Sequence, residues 1–259
     1  MPDPTSATHD DWDTHWDRYA DAASLNPAQR MRHQFISDWL VKATANKPAQ
    51  VFDIGSGQGD LIQLLTPRLP NAQFLGAELS ESGVEISKRK APQARFLVAD
   101  LFQPGANLQA CTGWASYAVC SEVLEHVDDP VAFLRQTRPY LAEGARLMVT
   151  VPGGPMSAFD RHIGHRQHFT RESVSRVLSE AGFQVEEVHL LGFPFFNLYR
   201  LTVIARGEKL VDEVQSGPEG GSSALAKFVM GIFRFLFRFN FPSTPFGWQV
   251  VAVARKASP

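Results

Sequence analysis

The chain is predicted to be an α/β domain: a mostly parallel sheet with helices wound over both faces. Three observations predict this. Short apolar runs alternate with amphipathic runs along most of its 259 residues, the pattern of strand–helix–strand units. One apolar run, Val51 to Ile54, opens directly into Gly55, Gly57 and Gly59 before an amphipathic run starts at Leu61. Three successive strand-like runs each bring an acid to their ends: Asp53, Glu78 and Asp100.

Composition bounds the rest. The length suits one large domain or a domain with an appendage, and the apolar fraction is that of an ordinary globular core. A net charge of −2 argues against a general nucleic-acid binder, though not against a local basic groove. Cys111 and Cys120 are the only cysteines, which excludes a disulfide framework or a cysteine-rich zinc cluster. The N-terminal stretch is acidic and polar rather than basic-then-apolar, and no uncharged run is long enough to span a bilayer. A cytoplasmic protein is expected. Residues 1–9 read as disordered. From Asp10 to Leu40 aromatic and apolar residues recur at helical spacing, predicting helices broken near Pro27.

The glycine stretch VFDIGSGQGD builds a nucleotide-binding corner: residues without side chains turn the chain sharply and let a ligand approach the backbone. The helix that follows aims its free N–H groups at that ligand. A dinucleotide fingerprint is GxGxxG with a pyrophosphate on the helix, the mark of an NAD-dependent oxidoreductase. Here the third glycine comes one residue early, and Asp53 would repel a pyrophosphate. A ligand with a cationic amino-acid end suits the corner better. The segment resembles the first motif of class I S-adenosylmethionine (SAM)-dependent methyltransferases. That resemblance implies a Rossmann-like class I methyltransferase fold, a seven-stranded, mostly parallel sheet with helices on both faces and an antiparallel last strand.

Helices are predicted over Leu61–Leu69 and Ser82–Lys90, and strands over Gln73–Ala77 and Ala94–Ala99. Glu78 ends the second strand, where one carboxylate can accept both ribose hydroxyls. In the resembling family the acid at Asp100 takes the adenine amino group while apolar neighbours such as Leu101 sandwich the ring. The expected cofactor residues are Asp53, Gly55, Gly57, Gly59, Glu78, Leu79, Asp100, Leu101 and Cys120.

A fourth strand, Ala115–Cys120, runs into SEVLEHVDDP. This closely resembles the LEH segment of small-molecule methyltransferases, including the ubiquinone-biosynthesis O-methyltransferases. Glu122, Glu125 and His126 fall at i, i+3 and i+4, which puts all three on one face of a helical turn. His126 can then act as general base for a hydroxyl acceptor. Alternatively Glu122, Glu125 and His126 hold a divalent cation, as a similar Glu-x-x-Glu-His does in small-RNA 2′-O-methyltransferases. A third reading has Glu125 and His126 merely ordering the turn. Helix Pro130–Leu141 and strand Ala145–Val151 follow, and then His162, His165 and His168 recur every third residue. His165 is the second candidate for base or metal ligand. Glu122, His162 and His168 are candidate acceptor contacts, joined by Trp16 and Tyr19 if the N-terminal helices close as a lid. Thr170 and Ser173 start a further helix.

Phe183–Leu191 and Trp248–Ala254 are the last two strands. Between them lies an excursion too long for a plain connection, Gly/Ser-rich over Gln215–Ser223 and dense in Phe, Leu and Ile on both flanks. Lys227, Arg234 and Arg238, spaced by seven and four, make one basic stripe. Such a helix lies on a membrane surface or lines a lipophilic pocket, or else packs on the sheet or on a second subunit. The expected organisation is an N-terminal helical lid or packed appendage over 1–45, the SAM-binding core over 46–192, an aromatic-rich insertion over 193–246, and a last strand with tail over 247–259. The expected activity is methyl transfer from SAM to a small, lipophilic or aromatic acceptor, at oxygen. An RNA 2′-O-methyltransferase and a non-catalytic SAM-binding protein are the competing readings.

Overall fold

The computed structural model describes residues 26–215 and 224–257, excepting the side chains of 208–215 and 224–227. Trp16 and Tyr19, and most of the Gly/Ser-rich stretch, therefore lie outside the described residues. Seven strands form one sheet: β1 (Ala49–Ile54), β2 (Ala72–Glu78), β3 (Arg95–Val98), β4 (Ala115–Ser121), β5 (Leu141–Pro152), β6 (Phe183–Leu191) and β7 (Gln249–Lys256). Their order is β3-β2-β1-β4-β5-β7-β6. Strands β1 to β5 pair in parallel, and β7 inserts between β5 and β6, antiparallel to both.

The central strands are covered on both faces, which is why β1 and β4 read as near-continuous apolar runs rather than alternating ones. Phe52 and Ile54 face one core with Cys120, Leu147 and Val149. Val51, one residue out of phase, faces the other with Val119, Met148, Leu61 and Leu65. Each fully buried Leu, Ile or Phe contributes about 1.5–3 kcal/mol, so the two layers hold the strand ends rigidly.

Helix α1 (Pro27–Thr44) begins where Asn26 accepts a hydrogen bond from the Ala28 N–H. Pro27 opens this helix, because proline at the first helical position lacks only an N–H that would have no partner anyway. Ile36 and Leu40 bury it on the sheet. Helix α2 (Asp60–Leu65) is shorter than the sequence suggests; Pro67 cannot supply the next helical N–H. Helix α3 (Glu81–Lys90) is capped by Ser80 and ends in Lys88, Arg89 and Lys90, which complement its dipole. After α4 (Ala106–Gln109) and α5 (Pro130–Thr137), the loop beyond β5 carries the short α6 (Ala158–His162). Helix α7 (Arg171–Glu180) starts at the expected Thr170, whose hydroxyl and that of Ser173 form a reciprocal capping box.

Among the described residues the excursion carries two helices, α8 (Phe195–Gln215), kinked at Gly207, and α9 (Ala224–Leu236). Phe196, Tyr199, Phe233 and Phe237 gather with Ala28, Met31 and Trp248 into a third apolar cluster. That cluster lays the excursion against α1, directly over one wall of the candidate site.

Candidate active site

The glycine turn is built as its spacing implies. Gly55, Gly57 and Gly59 all have left-handed backbones, with φ of 72°, 53° and 78°. A Cβ on Gly55 would stand 2.5 Å from Val123 Cγ2, and one on Gly59 2.9 Å from Ser87. The turn is thus clamped between α3 and the segment after β4. Ser87 Oγ donates to the Gly57 carbonyl at 3.0 Å, and the Gly57 N–H donates to Glu78 Oε2 at 2.8 Å.

Glu78 also accepts from the Ser80 N–H at 3.1 Å. Asp53 is buried below the turn. Burial, and secondarily the Glu78 charge, push its carboxyl up to about 7. At the next strand end Asp100 accepts from the Phe102 N–H at 2.8 Å. Leu101 is buried there, whereas Leu79 and Phe102 present apolar surface to solvent.

A cavity of about 140 Å³ lies between the turn and α1, lined by Gln29, Arg32, His33, Asp53, Ser121 and Glu122 among others. Three of these come from α1 and were not anticipated. Gln29, Arg32 and His33 fall at i, i+3 and i+4 after the Asn26-Pro27 start, so the same spacing rule that marked other segments could have found them. Arg32 is enclosed, its Nε has no hydrogen-bond partner, and its guanidinium stands 3.6 Å from Glu122. Two features of this floor fit a ligand with an ammonium and a carboxylate at one end: a buried acid for the cation and an arginine with free donor capacity for the anion.

The segment after β4 differs from the expected helix. Glu122 has a left-handed backbone, φ 56°, and only Leu124–His126 coil, as a 3₁₀ turn. Glu122 therefore lies outside the turn that carries Glu125 and His126. It accepts from Gln249 at 2.9 Å and Thr150 at 3.3 Å and faces Arg32. The set Glu122–Glu125–His126 does not converge; Glu125, His126 and His165 do, with potential ligand atoms all within 4.8 Å of one another.

Glu125 is fully buried and neither carboxylate oxygen has a hydrogen-bond partner. Burial, then the charge of Glu122, hold its carboxyl well above the ordinary range. His126 and His165 meet edge to face, ring centroids 4.7 Å apart. Burial and the neighbouring His126 push His165 down to about 3. His165 Nδ1 lies 3.4 Å from His168 Nε2, and His168 Nδ1 lies 3.0 Å from the Gly154 carbonyl. Both rings face buried Asp160, which is gripped by both guanidinium nitrogens of Arg200, at 2.9 and 2.7 Å, and by Ser157. Those bonds hold Asp160 ionised, far below the usual carboxylate range despite its burial. His162 is exposed at the end of α6, apart from the other two histidines. Cys120 is buried in β4, its thiol pushed well up by burial.

A parallel sheet with the inserted antiparallel β7, a glycine turn after β1 and acids at the next strand ends define a class I SAM-dependent methyltransferase. A family profile described as "Methyltransferase domain" matches residues 28–188, and the chain belongs to that family. Among curated relatives, trans-aconitate 2-methyltransferase of Yersinia pestis (strain Pestoides F) is 30% identical over 93 residues, covering 36% of this chain and 33% of the relative. The protein of that name from Variovorax paradoxus (strain S110) is 26% identical over 142 residues, covering 55% and 50%. The chain thus matches a third to a half of the length of these relatives.

Among solved structures, the [4+2]-cyclase SpnF is similar with TM-score 0.57 at 18% identity, covering 86% of this chain and 80% of that one. Geranyl diphosphate methyltransferase in complex with GPP and sinefungin also gives 0.57, at 15% identity, covering 88% and 79%. These likenesses establish the fold; that a cyclase shares it shows why the reaction has to be argued from the site.

Proposed function

We propose that the chain transfers the methyl group of SAM to a hydroxyl of a small acceptor with apolar or aromatic surface, His126 taking the hydroxyl proton. The observation that carries this reading is the paired imidazoles at the end of a segment that starts in the cofactor cavity and packs on the glycine turn. The bound cofactor supplies an electrophilic methyl group on a sulfonium.

The chain's own residues do the rest. Asp53 faces the ammonium, Arg32 the carboxylate, Glu78 the ribose and Asp100 the adenine. A hydroxyl is a poor nucleophile until its proton leaves. His126, at the end of the segment packed on the glycine turn, receives the proton on an imidazole nitrogen, with His165 fixing the ring from the side. Arg200 carries the excursion into the site through Asp160, and the apolar cluster beneath it favours an acceptor with hydrophobic surface.

A second reading is favoured by one observation, the buried Glu125 carboxylate without a hydrogen-bond partner beside two imidazoles. Glu125, His126 and His165 would then hold a divalent ion, which would lower the acceptor hydroxyl's pKa.

The test is a methyl-transfer screen with quinol, phenol, sugar, amine and polycarboxylate acceptors, with and without chelator, beside His126→Ala. The expected result is turnover on a hydroxyl acceptor that survives chelation and falls ~10²–10⁴-fold in the variant. Loss on chelation with rescue by a divalent ion would select the metal reading. A carboxylate acceptor, such as the relatives' name implies for them, needs no base, and its methylation would be indifferent to the variant. SAM binding without turnover on any acceptor would refute the catalytic reading.

A further inference from the structure

Helix α9 has two apolar faces, and among the described residues only one of them is covered. Phe233 and Phe237 point inward onto α1 and α8. On the opposite side Phe228, Ile232, Phe235 and Phe239 follow spacings of four, three and four, one stripe along the helix and the turn that continues it. Phe228, Phe235 and Phe239, with Phe241 and Phe246 just beyond, are each 55–66% exposed. At roughly 200 Å² a ring, the five leave on the order of 600 Å² of aromatic surface in water, and the three of the stripe alone about 350 Å², within the range of a monomer's largest patch.

Along this segment of the chain the charge is of one sign. Arg234 and Arg238 are exposed along one flank, and the Arg238 guanidinium lies 5.9 Å from the centre of the Phe235 ring. Lys227 precedes Arg234 by seven residues, and no Asp or Glu occurs between Ala224 and Trp248. A second copy of the chain meeting this face would bring cations together without counter-charge from the same segment. An anionic lipid surface supplies that counter-charge, and its acyl boundary accepts the rings. No helix among the described residues is long and apolar enough to cross a membrane, so the helix would lie in the interface plane.

We infer that the α9 face, from Phe228 to Phe246, docks the protein on anionic membrane surfaces, with the phenylalanines in the headgroup–acyl boundary and Arg234 and Arg238 on lipid phosphates. This rests on surface geometry and charge, not on the methyl-transfer reading. It adds a route by which an acceptor with hydrophobic surface reaches a site walled by α1 and α8.

The experiment is co-sedimentation of the full chain with phosphatidylcholine vesicles and with roughly 3:1 phosphatidylcholine–phosphatidylglycerol vesicles, at low and high salt. Binding is expected on the anionic vesicles, weakened by salt and slight on the zwitterionic ones. Arg234→Gln with Arg238→Gln should weaken it about 25-fold, near five-fold per charge. Phe235→Ser with Phe239→Ser should abolish it while leaving the thermal midpoint unchanged, since both rings are exposed. Failure of the unaltered chain to sediment with anionic vesicles would overturn the inference, as would binding indifferent to lipid charge. A dimer in analytical ultracentrifugation that Phe235→Ser with Phe239→Ser dissociates, with no vesicle binding, would instead assign the face to a second copy.

Discussion

Asp53, buried in the wall of the cavity, is placed to make ligand affinity there depend on pH. Burial and the nearby Glu78 raise its carboxyl to about 7, so near neutrality it is about half protonated in the ligand-free protein. A cationic ligand group beside it favours the carboxylate, and binding therefore releases a proton. SAM affinity should rise from pH 6 to pH 8, and calorimetry in two buffers of different ionisation enthalpy should detect the released proton. Asp53→Asn should flatten that dependence and weaken binding about tenfold or more. Arg32→Met tests the other end of the same ligand. Losing a charge-assisted hydrogen bond, worth about 1.5–3 kcal/mol, should raise the SAM dissociation constant ~10–100-fold while leaving kcat on a competent acceptor nearly unchanged. Asp53 was legible in the sequence because a lone acid in a buried apolar run has few other uses. Arg32 was not: its helix lies outside the glycine motif, and it enters the cavity only because Ile36 and Leu40 anchor that helix on the sheet.

At the scale of elements, the glycine turn and the segment after β4 act as one unit, and a matched pair of glycines isolates their contact. Gly55 and Gly144 share the same φ of 72°. A Cβ on Gly55 meets Val123 at 2.5 Å, whereas nothing lies within 4 Å of one on Gly144. Both alanine variants bear the left-handed backbone cost of about 1–2 kcal/mol. Gly55→Ala should lose about 1–3 kcal/mol more to overpacking, read as the difference in urea midpoints, and should lose SAM binding where Gly144→Ala keeps it.

The turn could be read from sequence because its cause is local. The Glu122–His126 segment could not, since its course is fixed from far away. The Glu122 N–H donates to the Thr150 carbonyl, and its carboxylate is held by Gln249 from the far end of the chain. A spacing of i, i+3 and i+4 carries no trace of those partners, so the helical reading grouped Glu122 with Glu125 and His126, whereas the fold takes Glu122 out of their turn. The Thr170 helix start, decided by its own two side chains, was legible for the same reason as the turn.

For the whole molecule, buried groups titrating in opposite directions set the dependence of stability on pH. His33 retains some surface toward the cavity, yet protein rings it on most sides. Burial, then Arg32, bring its imidazole down to about 3. In the unfolded chain that ring takes a proton near 6.5, so below this pH the unfolded state binds more protons and acid removes stability. Asp53 does the reverse. Its folded value lies above the unfolded one near 3.8, so its contribution is complete below about pH 4 and is lost as pH rises through about 7. Asp160, held ionised by Arg200 and Ser157, contributes above its unfolded value and fails only in stronger acid.

The sequence shows each of these residues, but not that they titrate against one another. That follows from the order of the sheet, which sets β1 beside β4 and lays α1 across their ends. The melting temperature of the ligand-free protein, scanned from pH 7 to pH 5, should therefore fall only gently, the histidine and carboxyl slopes partly offsetting. His33→Gln should make the curve shallower by removing a group that drives acid loss. Asp53→Asn should make it steeper by removing the group that opposes it. Shifts of the same sign in both variants would show that the two buried groups do not titrate as their surroundings dictate.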